Sequence, residues 1–418
     1  ESVVQTFKTY LSDYSELFTL DSADFQIEDP LPAEGSYQCI KLVVDKVHED
    51  LSAITSNGRT ELQLLTQVNV EKQLVTSTIS EVRRSLLGSS PTTSQTWTSS
   101  EALSNLAFDV GKFDSVPGAT TQYRRNAQAG VAETFVHQLL LDPFADQATN
   151  TILRNVVKSF VKGVRSRSSS VVASDDDMIE DIAVVVQSMS TAVAEGQPAS
   201  PEVDALNAVS LLFGTGLVEG IDVSLPAGGP SLSLSNEKFF LLSEKVMQNV
   251  VSGSLLSTMT VGTLQNLLKS HLTHLLQLFH DLSRTGSGEM FESFQGHRQI
   301  HIKLVQGGLQ GLLPSSVQTK YLDSSNDLHN LLRTLSSTVF SKTVRLNSLS
   351  SGGFSLSKSN AQELVQSSVR QLLMSTSTKI LNSTYATQIK WHQCIMEGLV
   401  QSIQTASDIP SGVVANTE

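Results

Sequence analysis

The chain has 418 residues, of which 39% are hydrophobic and only 17% charged, and it carries a net charge of -12. A chain of this length exceeds one core and predicts two to four packed units. The acidic balance argues against general nucleic-acid binding, which needs the opposite sign. No run approaches the ~18 apolar residues of a membrane helix, so membrane insertion is not expected.

Hydroxyl and amide side chains take the place of the missing charge, led by 60 serines. They predict a surface that stays wet with little charge, against a usual charged fraction near ~25%. The sequence opens on Glu1 where Met would stand, which predicts a processed chain or a piece of a longer one.

In chain order, apolar spacing predicts helices over 1–20, 37–53 and 62–87, with a proline-rich loop at 29–36. Residues 88–100 read GSSPTTSQTWTSS and predict a linker, with Trp97 packing back onto a domain or, as the alternative, serving an intermolecular contact. The stretch 101–122 is short and broken. Residues 130–164 are strongly helical, split at Leu141-Asp142-Pro143, where Asp142 can cap the second helix and Pro143 open it. On that second helix Arg154, Lys158, Lys162 and Arg165 form a basic stripe beside Ile152, Val156, Phe160 and Val164. The serine-rich run 165–174 predicts a flexible loop.

Asp175-Asp176-Asp177 opens a further helix, where acidic residues suit the dipole. It ends in the stretch from Gly196 to Pro201. The next helix is expected to stop near Leu212, because Gly214, Gly216 and Gly220 follow. After a loop at 225–231, a long helical block covers 236–282, divided at Gly253 and Gly262. Residues 285–314 are looser and hold six glycines, with a short strand at Ile300, Ile302, Leu304 and Val305 as the alternative reading. Helix is expected again over 322–335 and 360–403, with a glycine-serine break at 350–353.

The fold class is therefore mostly α, as multi-helix bundles joined by Ser/Gly/Pro-rich linkers. The expected units are 1–90, 101–220, 225–345 and 350–410. The last two are tied by a repeat: Ser231-Leu232-Ser233-Leu234-Ser235-Asn236 is echoed by Ser355-Leu356-Ser357-Lys358-Ser359-Asn360, before a helix in both places. A duplicated unit of roughly 120 residues is one explanation, and serine and asparagine as ordinary N-caps are the other. A weaker echo joins Leu31-Pro32-Ala33 to Leu225-Pro226-Ala227.

Chemistry is hard to find. The phosphate-binding, dinucleotide, zinc-protease, nucleophile-elbow and EF-hand patterns are all missing from the sequence. No catalytic residue, metal ligand set or cofactor follows, and an enzyme is not expected. His271, His274 and His280 flank a leucine-rich helical block. They are candidates for a pH-sensitive contact, because histidine changes charge near pH ~6.5. His297 and His301 form a weaker pair. Glu180 and Asp181 are adjacent and face different ways, and Arg124-Arg125 reads as a surface pair. Cys39 and Cys394 have no CxxC partner. They are expected as isolated buried thiols, with one mutual bridge, or bridges to other chains, as the alternatives. Asn382-Ser383-Thr384 is a glycosylation sequon in an expected helix.

Three stretches are alike in make-up, namely SLSLSN at 231–236, SGSLLSTMTVGTLQNLL at 252–268 and FSLSKSNAQELVQSSVRQLL at 354–373. Helical blocks of this composition between glycine-serine breaks resemble the helical repeat domains of spider silk proteins, of egg-case or wrapping type. The resemblance covers about 225–405, without poly-alanine or near-identical repeats. It implies secreted, extracellular domains that self-associate into a fibre as conditions change. A capsid or shell subunit, and a helical carrier of an apolar small molecule, are the alternatives.

Overall fold

The computed structural model describes residues 121–140, 147–170, 174–198, 201–221, 236–285, 294–312, 325–345, 358–379 and 385–405, with a few positions between 72 and 111. Among the described residues 95% are helical and none is in a strand, so the chain is mostly α.

The helices are α1 (Thr121–Leu140), α2 (Gln147–Ser170), α3 (Asp175–Glu195), α4 (Val203–Ile221), α5 (Asn236–Leu256), α6 (Val261–Thr285), α7 (Phe294–Leu312), α8 (Ser325–Arg345), α9 (Lys358–Lys379) and α10 (Tyr385–Thr405). Their termini follow local rules. At α3, Ser174 Oγ accepts from the Asp177 N–H at 3.2 Å, three aspartates fill the first turn, and the Gly196 N–H returns to the Ala192 carbonyl at 2.9 Å. Between α5 and α6, the Ser257 hydroxyl donates to the Ser254 carbonyl at 2.7 Å and closes the helix.

The strongest packing is between every second helix, not between consecutive ones. The odd helices α1, α3, α5, α7 and α9 lie side by side as one layer, and the even helices α2, α4, α6, α8 and α10 as a second. The chain is thus an array of helical hairpins, each adding one helix to each layer. Hydrogen bonds that join same-layer neighbours span 52 to 69 residues, and several cluster closely: 62 at Lys238–Asp176, 63 at Ser270–Asn207, 64 at Ser190–Ser254 and at Arg333–Glu397, and 65 at Arg154–Glu219. The SLSLSN echo falls in place here. Its copies precede α5 and run into α9, two hairpins apart. Most of the buried apolar residues form one connected cluster from Leu103 to Leu399, continuing from α4 to α5 and from α8 to α9, while Ala194, Leu206 and Leu267 form a small second one.

Several expectations change. Helix α4 runs to Ile221 through Gly214, Gly216 and Gly220. A Cβ on Gly216 would stand 2.6 Å from the Arg154 carbonyl oxygen of α2, and one on Gly220 2.7 Å from Val161. These glycines let two backbones approach; they do not break the helix. Helix α7 takes the place of the alternative strand, since Gly307 and Gly311 seat it against Glu244, Gln248 and Val251 of α5. Helix α2 continues through Ser170 where a loop is expected from the sequence. Gly253 lies inside α5 and Gly262 inside the first turn of α6, so the break in that block falls between them. The last block is two helices, α9 and α10. The helices expected before residue 88 lie outside the described residues except Lys72 and Thr76, which are helical. Trp97, the Asp142-Pro143 cap and the sequon also lie outside them.

Serine is the other correction. Ser190, Ser210, Ser254, Ser270 and Ser336 are all buried. Ser190 Oγ donates to the Val250 carbonyl at 2.7 Å, and Ser254 returns its hydroxyl to the same carbonyl at 2.9 Å. A hydroxyl bonded to a backbone carbonyl is satisfied without a charged partner, so a close helix seam can hold it.

Two glycines give a prediction of opposite signs. Replacing an interior helix glycine by alanine gains about 1 kcal/mol of propensity. At Gly262 nothing lies within 4 Å of the new Cβ, so Gly262→Ala is expected to stabilise by up to that amount. At Gly307 the Cβ collides with the Glu244 carbonyl oxygen, which cannot swing away. Gly307→Ala is expected to destabilise by about 1–3 kcal/mol, as overpacking does. Urea unfolding of both variants checks the contrast.

Candidate functional site

The histidine-bearing seam between α4 and α6 holds the least satisfied polar groups of the described interior. Helix α6 sits between α4 and α8 in the even layer. Its apolar face carries Leu264, Leu268, Leu272, Leu275 and Phe279 into the core. His271 falls on the same buried side and is 0% exposed. Its ring lies 5.6 Å from the Phe213 ring of α4 at a 59° tilt. Neither ring nitrogen meets a protein hydrogen-bond partner, and neither does the hydroxyl of Ser210, one turn before Phe213. A short polar contact closes the seam nearby, where Ser270 donates to Asn207 Oδ1 at 2.5 Å.

Burial pushes the His271 pKa down to about 3, with a smaller push from neighbouring His274. His274 is half-buried and also lowered, by burial first and then by Lys342 of α8. His271 therefore faces α4 while His274 lies toward α8. His280 belongs to α6, and its side chain lies outside the described residues. His301 of α7 is fully buried, and burial lowers its pKa to about 4. The sequence places His271, His274 and His280 beside a leucine-rich face and His301 in a separate, weaker pair. The structure puts His271 and His301 inside the core.

No protein-family model matches this chain, and a search of characterised proteins finds no match.

The remaining sequence candidates resolve into helix-to-helix contacts. Arg125 of α1 bonds the Asp181 carboxylate of α3 at 2.6 Å and reaches Asp177 at 3.3 Å. Its guanidinium is thus engaged within the fold. Asp181 and Glu180 do face different ways, since Glu180 pairs with Lys245 of α5 at 2.6 Å. The basic stripe on α2 turns toward α4: Arg154 and Lys158 both pair with Glu219. Arg165 is buried and donates to the Gly220 carbonyl at 3.2 Å, in the last turn of α4, where a cation suits the helix dipole. From its own helix alone the stripe reads as surface charge, because its partners lie on another helix. Among the described residues no group of three or more His, Cys, Asp or Glu side chains converges.

Cys394 is a buried free thiol on α10, and burial raises its pKa, which disfavours the reactive thiolate. Cys39 lies outside the described residues. No helix among the described residues is long and apolar enough to cross a membrane.

Sequence patterning alone does not bring out the close-approach glycines and buried serines. A signal is nonetheless present in Gly216-Leu217-Val218-Glu219-Gly220 and Gly307-Gly308-Leu309-Gln310-Gly311, two glycines four apart inside apolar helices.

Proposed function

We propose that this chain is a non-enzymatic structural protein that associates with copies of itself into a fibre or another extracellular assembly. One observation carries the reading: the strongest helix contacts are same-layer ones, and they recur along the array. In such an array each unit contacts only its neighbours. An end face is then built like an internal one, and it can accept another helix by the same chemistry. Small and hydroxyl-bearing residues in the contacts suit this role, because a bonded hydroxyl is covered at less cost than a charge.

The net charge of -12 opposes association at long range. Salt screens that repulsion, and protonation reduces it. The expected result is a sedimentation profile that shifts to larger species when salt is raised at about pH 8, and again on acidification toward about pH 5.5. A strictly monomeric profile at high concentration under every condition overturns the reading. Open filaments would match the silk-like destination, and closed symmetric particles a shell.

A further inference from the structure

Resting on that self-association reading, we infer that the outward face of α10 is where two copies of this chain meet, α10 against α10 and antiparallel.

Helix α10 is the last described member of the even layer. Its inward face packs on α8, where Gly398 lies over the Arg333 carbonyl oxygen and Ser336. Ile389 stands nine residues before Gly398, roughly two and a half turns, and so on the opposite side of the helix. Met396 and Val400 fall on that same side. These three are 48%, 40% and 49% exposed, so α10 turns an apolar stripe outward, with Gln393 as a polar residue within it.

Internal helices of the layer show what such a face is for. In α4, Gly216 meets the Arg154 carbonyl oxygen of α2 as Gly398 meets that of Arg333. The register that sets Gly398 on Gly216 sets Ile389 on Asn207, Met396 on Gly214 and Val400 on Val218. In α4 the first two of those positions meet the next helix of the layer, and Val218 is buried. Asn207 bonds Ser270 of α6, and a Cβ on Gly214 would touch Leu275 and Leu278 of α6. The stripe on α10 is therefore continuous with an interface made throughout the array, at the place where the covering helix is due.

The large side chains and the flanking charges select the occupant. Asn207 and Gly214 are small and take the α6 face closely. Ile389 and Met396 project further and suit a facing helix with an equally apolar stripe. Lys390 and Glu397 lie on one flank of the stripe, toward opposite ends, and Arg333 holds Glu397 in place. Two antiparallel copies of α10 set Ile389 of each against Val400 of the other. They also bring Lys390 of each near Glu397 of the other. Gln393, exposed in the middle of the stripe, then lies beside its own copy near the two-fold axis.

Sedimentation of the full chain tests the face. Met396→Glu is expected to weaken self-association at least tenfold, as a charge placed in the centre of an apolar contact does. Val203→Glu alters an equally exposed apolar residue on α4, and it should leave association unchanged. Circular dichroism confirms that both variants fold. The geometry has its own readout, which does not depend on Met396→Glu folding. Gln393→Cys in a Cys39→Ser chain should give a disulfide-linked dimer under mild oxidation. Association of the unaltered chain that survives Met396→Glu overturns this inference while leaving self-association standing. Absence of the Gln393→Cys cross-link overturns the antiparallel seat. A chain that never associates removes both this inference and the proposed function.

Discussion

Arg125→Met should lower the stability of the fold by about 3–5 kcal/mol, the cost of removing the cation that pairs with a buried carboxylate. The Asp181 carboxylate is 0% exposed, and Arg125 bonds it at 2.6 Å across the α1–α3 contact. Methionine keeps the packing of the arginine stem and removes the guanidinium, so the loss reports charge and not volume. The size of the effect depends on burial. The Lys238–Asp176 pair spans the next contact of the same layer, α3 to α5, but Asp176 is 60% exposed. Lys238→Met should cost less than about 1 kcal/mol, since water screens that pair. Equilibrium urea unfolding at neutral pH compares the two variants. The double replacement Arg125→Met with Asp181→Leu should recover most of the loss, because the buried carboxylate is removed together with the cation. A loss at Arg125→Met no larger than at Lys238→Met would show that the pair contributes little.

Helix content and most helix ends are legible in the sequence because they depend on local chemistry. Asp175-Asp176-Asp177 after Ser174 announces a helix start in any context, and the structure begins α3 there. The departures have one cause. A glycine read alone breaks a helix; a glycine read beside a second helix lets that helix come close. Gly216, Gly220, Gly307 and Gly311 belong to the second case, and their partners lie a whole hairpin away in the chain. Arg165 reads as part of a basic stripe and a loop for the same reason, since its acceptor is the Gly220 carbonyl. Serine reads as a surface residue because composition carries no information on which hydroxyls meet a carbonyl. The layered order of the helices is out of reach of the sequence. It is set by contacts between every second helix, and the sequence marks them only by faint echoes such as SLSLSN and SLSKSN.

Acid should weaken the fold before the carboxylates titrate, and two buried histidines account for this. His271 and His301 have pKa values lowered to about 3 and about 4 by burial, against about 6.5 in an unfolded chain. Above pH ~6.5 each is neutral whether folded or not, and stability does not depend on them. Below it the unfolded chain binds two protons that the folded chain refuses. Stability is therefore lost as pH falls from ~6.5 toward the folded values, at about 1.4 kcal/mol per pH unit for each group. By pH ~5 the two together cost about 4 kcal/mol, a large share of a usual folding free energy. Glu219, where burial raises the pKa but the bonds to Arg154 and Lys158 together bring it below the usual value, adds a loss only at more acid pH. Glu133, raised by burial, acts in the opposite direction. Urea unfolding at a series of pH values should show this loss in the native chain. His271→Leu also removes two unpartnered nitrogens from the α4–α6 seam, so it should be near neutral at pH ~8 and should recover about 2 kcal/mol at pH ~5. Unchanged acid sensitivity in that variant would move the effect elsewhere. The same series separates two consequences of acid for self-association: salt at pH ~8 reduces charge repulsion and leaves His271 neutral, whereas acid does both. Assembly that rises with salt and falls again below pH ~5.5 would mark the point where loosening of the α4–α6 seam overtakes the loss of repulsion.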